Sequence, residues 1–146
     1  MKSTKILLFV TLLGIVLSAG NCKKKKKDDP VPGLKGTWKI NSILNSSNQT
    51  PPNLQNLVNG TAVFGDTNYE FKNTSGTGEE SGSYVYDAAA RTISVTPSQS
   101  SVFTGASAAY TFIEVDLASP NLQMRVNIAA PNKPQNLLTI SLTKQE

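Results

Sequence analysis

The apolar side chains of this sequence fall into two regimes. From Ile6 to Val16 they run almost unbroken, interrupted by Thr11 and Gly14. From Thr37 onward they alternate with polar residues, in short bursts separated by Gly, Pro, Asn and Ser. A period of two puts one side of a segment in a core and the other in water, so each burst predicts a half-buried β-strand.

The bursts are specific. Thr37 to Leu44 sets Trp38, Ile40 and Leu44 on one side. Thr61 to Phe64 and Asn68 to Lys72 predict a hairpin about Gly65-Asp66, with Tyr69 and Phe71 sharing a side. Asn73 to Glu80 is polar and Gly-rich, which predicts a loop. Gly82, Tyr84 and Tyr86 then alternate with Ser83, Val85 and Asp87, and Ile93 and Val95 with Thr92, Ser94 and Thr96. A longer strand is expected over Ala109 to Leu117 and another over Leu122 to Ile128. Leu138, Ile140 and Leu142 close the chain. Turn residues recurring about every 10 positions between such bursts predict an all-β fold, an antiparallel sheet closed into a sandwich or barrel.

Two stretches break the rhythm. Asn45 to Asn53 is polar and contains Pro51-Pro52, a loop, after which Leu54, Leu57 and Val58 have the spacing of a single helical turn. Pro97 to Ser107 is rich in Ser and Gly, with Val102 and Phe103 as its large apolar residues. It is either a long loop or a strand interrupted by a bulge.

The uninterrupted apolar run has a different meaning. Lys2 and Lys5 precede it and the small residues of Leu17 to Gly20 follow it, the layout of a secretory signal peptide. It falls short of the roughly 20 apolar residues of a membrane-spanning helix, which argues against an uncleaved anchor. Cys22, the only cysteine, comes next. A lone cysteine in an exported chain has no internal disulfide partner and is free or modified. Lys23 to Lys27, Asp28-Asp29 and Pro30-Val31-Pro32-Gly33 then predict a disordered tether reaching at most ~40 Å, because like charges repel and proline disfavours helix. The chain divides into a leader over 1–21, an anchor and tether over 22–33, and one domain over 34–146.

Charge and composition narrow the function. The net charge is +4, but residues 34–146 carry seven basic and eight acidic side chains, so the excess belongs to the leader and tether. The domain has no basic face for nucleic acid. The lysine run abuts an export signal without interleaved aromatics and reads as a spacer, able to grip anionic headgroups at about 1 kcal/mol per residue. There is no histidine, which removes the commonest general base and metal ligand. Glu79-Glu80 are neighbours in a loop. Glu114 and Asp116 share a strand side and could meet a cation, although a solvent-facing pair is the simpler account. No phosphate loop or metal-spacing motif is present. Neither catalysis nor a cofactor is expected.

Two resemblances extend this reading. Leu17-Ser18-Ala19-Gly20-Asn21-Cys22 resembles a bacterial lipoprotein box, with Asn21 where Gly, Ala or Ser is usual. The resemblance implies cleavage between Asn21 and Cys22 and acyl chains on Cys22, an attachment that several chains make effectively permanent. The competing reading is cleavage after Gly20, leaving a soluble protein with Cys22 free. Lys27-Asp28-Asp29 is similar to surface-export signals of some Gram-negative lipoproteins, which implies the outer membrane.

The second resemblance lies in the domain. Gly36-Thr37-Trp38-Lys39, the strand Tyr69-Glu70-Phe71 with its Gly76-Thr77-Gly78 turn, and Gly82-Ser83-Tyr84 before Ile93-Ser94-Val95 resemble the small lipocalin-like domains of bacterial lipoproteins. This implies an up-and-down barrel of about eight strands, with Trp38 plugging one end. In lipocalins a basic residue near the C-terminus packs over that tryptophan. Here Lys144 lies in the last strand and Arg125 one strand earlier, and the chain lacks a C-terminal helix.

A barrel of this size is filled by side chains or holds one small ligand. Trp38, Tyr69, Phe71, Tyr84, Tyr86, Tyr110, Phe112 and Met124 are the candidates for its inward side, as core or as lining for a small apolar or amphipathic molecule. Buried tyrosine hydroxyls need partners, and a ligand is one source. Two functions therefore stand. One is a membrane-anchored ligand binder. The other is an envelope protein-interaction module, an adhesin or assembly subunit, with a filled barrel and working loops at Asn45 to Val58 and Ser98 to Ser107.

Overall fold

A computed structural model describes residues 33–128 and 136–146. The leader, most of the tether and the readings made of Asn21 and Cys22 lie outside the described residues.

Eight strands follow one another around a closed antiparallel barrel. They are β1 (Gly36–Leu44), β2 (Thr61–Phe64), β3 (Asn68–Lys72), β4 (Gly78–Asp87), β5 (Thr92–Pro97), β6 (Tyr110–Ala118), β7 (Asn121–Ile128) and β8 (Asn136–Lys144). Each pairs with the next, and β8 returns to pair with β1 from Trp38↔Lys144 to Leu44↔Thr139. Closure leaves no strand edge unpaired. Alternation supplies the core: Ile93 and Val95 from β5, Leu122, Met124 and Val126 from β7, and Leu138, Ile140 and Leu142 from β8 are all buried.

Three bulges change the phase where the alternation alone would mislead. A register shift between Ile40 and Ser42 of β1 moves burial from Leu44, expected inside, to Ile43. A second lies between Ile113 and Asp116 of β6, where Glu114 has φ 53. It buries Phe112 and Val115 and leaves Glu114 and Asp116 exposed. Each takes its own arginine, Glu114 from Arg125 and Asp116 from Arg91 at 3.3 Å, so neither is set up for a shared cation. The third pairs Phe71 with Glu80 but Lys72 with Gly78, leaving Glu79 as the extra residue.

That third bulge corrects the expected loop over Asn73 to Glu80. The connection ends at Thr77, and Glu79 and Glu80 lie in β4. Asn73 shapes the turn: its side-chain oxygen accepts the N–H groups of Ser75 and Thr77. Between β1 and β2 the helical spacing becomes a 3-10 helix, Pro52–Leu57, with proline in its first turn and Leu54 and Leu57 buried. Residues 98–109 form a loop rather than an interrupted strand.

The strand directions sort the connections into two ends. The segment expected to be a tether joins at Gly33, at the end shared by the β2–β3, β4–β5 and β6–β7 turns. There the single tryptophan, Trp38, is fully buried, and its indole N–H donates to the Leu34 carbonyl at 2.7 Å. Lys144 Nζ stands 5.6 Å from the ring centroid, a cation–π contact. Leu34 is buried beside it. Residues 45–60, 73–77 and 98–109 gather at the opposite end.

Candidate functional site

The loop over residues 98–109 folds back across the end remote from the tether. Ser98 fastens its start, with N–H and hydroxyl both bonded to the Ser81 carbonyl. Phe103, 3 % exposed, drops its ring among Phe71, Tyr110 and Phe112, at centroid distances of 5.2, 6.2 and 5.9 Å. The edge-on and tilted angles are those that aromatic pairs prefer. Asn53, in the 3-10 helix, reaches the same loop with a long bond, 3.4 Å, to the Val102 carbonyl.

Beneath Phe103 lies the least expected group of the domain. Glu80 is 5 % exposed and, with Ser101, is one of two buried polar residues against a core that is apolar elsewhere among the described residues. Its Oε1 accepts the hydroxyls of Tyr69 at 2.7 Å and Tyr110 at 2.5 Å. Its Oε2 accepts the Ser101 hydroxyl at 2.7 Å and the Val102 N–H at 2.8 Å. Ser101 Oγ in turn accepts the Phe103 N–H at 3.1 Å. An ionised carboxylate is a pure acceptor with about four lone-pair sites, and here four donors fill them. None of the four is cationic.

The tyrosines record this setting. Burial pushes the Tyr69 and Tyr110 hydroxyls well above the ordinary tyrosine range, and the Glu80 carboxylate beside both adds to the effect. Both therefore stay protonated and remain donors. Tyr84 is raised as well, first by burial and then by Asp66, but it sits elsewhere and bonds the Gly65 carbonyl at 2.7 Å.

Six of the eight candidate inward residues are buried: Trp38, Tyr69, Phe71, Tyr84, Phe112 and Met124. Tyr86 and Tyr110 are half-buried and pack against the same core. The fold brings Tyr69, Phe71, Tyr110 and Phe112 together around Glu80 and Phe103, whereas Trp38 lies at the tether end. The sequence reading missed Glu80, Ser101 and Phe103. Glu80 carried a signal, since the inward phase of Tyr86, Tyr84 and Gly82 continues one period back onto it. Ser101 carried none, because a loop has no period, and Phe103 stood out only as a large apolar residue in a Ser- and Gly-rich stretch.

Among the described residues every buried side-chain nitrogen and oxygen has a partner, and no cluster of three potential metal ligands occurs. A shallow depression of ≈ 240 Å³ lies on the outer wall where β3 meets β4, lined by Glu70, Gly78, Glu79, Glu80, Ser81 and Gln99. No protein-family profile matches the chain, and no curated protein matches it.

Proposed function

We propose that this chain is a non-enzymatic lipoprotein of the outer membrane, anchored by acyl groups on Cys22, whose filled barrel holds a set of loops for contact with a partner protein. The observation that supports this is the opposition of the two ends. The tether joins at Gly33, where Lys144 and Leu34 close over Trp38. The loops over residues 45–60 and 98–109 stand at the other end, directed away from an anchored membrane. Between them the interior is occupied by side chains, Phe71, Phe112 and Met124 among those fully buried. A packed barrel is a stiff support, and working residues concentrate on loops positioned by such supports. A second reading, a small-molecule site within the barrel, is favoured by the buried Glu80 carboxylate under Phe103.

The experiment is site-specific photocrosslinking of the full-length lipoprotein in its own host. Probes at Gln55 and Gln99, both exposed at the loop end, should capture a common protein, and a probe at Ser83 on the barrel wall should not. Capture from Ser83 with none from the loops would overturn the orientation. The anchor is tested separately. Cys22→Ala should abolish acyl labelling and move the protein to the soluble fraction, and retention in the membrane would sink it.

A further inference from the structure

Phe103 fills its slot as a guest supplied by the chain itself. Its loop contributes no other fully buried apolar side chain, and Gly105 to Ala109 is exposed. The inward part of the loop is held chiefly by one acceptor, since Ser101 Oγ and the Val102 N–H both donate to Oε2 of Glu80, with a longer bond of 3.4 Å from Asn53 to the Val102 carbonyl. The other two donors to Glu80 belong to the barrel wall, in β3 and β6, and stay when the loop leaves.

The carboxylate left behind has a definite preference. It is buried, and its present partners are hydroxyls and one amide. A charged donor makes a hydrogen bond to a carboxylate about twice as strong as a neutral one. The slot itself has the size of one phenyl ring, bounded by Phe71, Tyr110 and Phe112.

The geometry points to a binding site for a small arylalkyl amine. Its ring replaces that of Phe103 among Phe71, Tyr110 and Phe112, and its ammonium replaces Ser101 and Val102 on Glu80 Oε2. The site rests on the small-molecule reading of the barrel, and because residues 98–109 must lift to admit the ring, a partner protein held on that loop would compete with it.

The test is calorimetric titration of the full-length lipoprotein in detergent, against a detergent blank, with phenethylamine, its neutral counterpart 2-phenylethanol, and phenylacetate. Phenethylamine should bind at least about tenfold more tightly than the alcohol, the ratio that a charge-assisted bond supplies, and phenylacetate should give no binding. Phe103→Ala, which vacates the slot, should tighten phenethylamine by about tenfold, since no ring need be displaced. Glu80→Gln should erase the preference for amine over alcohol. Absence of phenethylamine binding to both wild type and Phe103→Ala overturns the site, as does equal affinity for amine and alcohol. If Glu80→Gln fails to fold, the amine–alcohol ratio in Phe103→Ala decides alone.

Discussion

Replacing Glu80 by Gln and by Ala should give two very different proteins. Alanine removes the acceptor for three hydroxyls and one amide N–H in a buried site. Each donor left without a partner costs about 1–3 kcal/mol, reduced where a hydroxyl can turn elsewhere or water enters. The Val102 N–H cannot turn. The sum should be about 3–5 kcal/mol, a large share of a total stability of about 5–15 kcal/mol. Glutamine keeps the shape. Its carbonyl oxygen can face Ser101 and the fixed Val102 N–H, and its NH₂ can face Tyr69 and Tyr110, whose hydroxyls rotate to accept. Charge assistance is lost, but so is the burial of a charge, so the net cost should be about 1–2 kcal/mol. Urea unfolding followed by Trp38 fluorescence measures both, because that indole is the single tryptophan and is fully buried. With a slope of about 1.5 kcal/mol per molar, alanine should lower the midpoint by about 2–3 M and glutamine by about 1 M. Equal losses for the two variants, or midpoints unchanged in both, would refute the account of the network.

Three further outcomes are expected. The hydroxyls of Tyr69, Tyr84 and Tyr110 are raised by burial, so the unfolded chain loses these protons near pH 10 while the folded chain keeps them. Their contribution is complete below that pH, and stability should fall above it by up to about 1.4 kcal/mol per pH unit per tyrosine. Tyrosinate absorbance for these three should therefore appear together with the change in Trp38 fluorescence, and their titration near pH 10 with the fold intact would contradict the assignment. Gly82→Ala would place Cβ 2.1 Å from the Thr96 carbonyl oxygen and 2.9 Å from Pro97 Cα, so β4 and β5 must part. The thermal midpoint should drop by the equivalent of about 1–3 kcal/mol, and an unchanged midpoint would show that the strand pairing yields freely. Lys144→Met keeps the apolar stem but removes the cation over Trp38. Stability should fall by about 0.5–1 kcal/mol with a shift in Trp38 emission, and no spectral change would mean that the lysine does not sit on the ring.

Much of the barrel is legible in the sequence, and the reason is local. Which side of Leu122, Met124 and Val126 is buried depends on a period of two that neighbours in sequence already display. The hairpin around Gly65-Asp66 and the helical turn after Pro51-Pro52 are likewise short-range consequences of backbone chemistry. The bulges are not of that kind. Each inserts one residue against a partner strand, so Ile43 rather than Leu44 turns inward only because β8 sets the register of β1. The site divides the same way. Tyr69, Phe71, Tyr110 and Phe112 announced their inward side, while polarity disguised Glu80 as part of a loop although its phase matched Tyr84.

The sequence by itself determined the alternating strands, the aromatic character of their inner side and the segregation of positive charge into the N-terminal third of the chain, because period, composition and charge are properties of neighbours. Only the tertiary structure decided between sandwich and barrel on physical grounds, brought Lys144 to 5.6 Å from the Trp38 ring across more than a hundred residues of chain, and folded Ser101, Val102 and Phe103 over a buried carboxylate. Those contacts join positions far apart in sequence. Their energies come from desolvation and hydrogen-bond geometry that exist only once the barrel has brought the groups together.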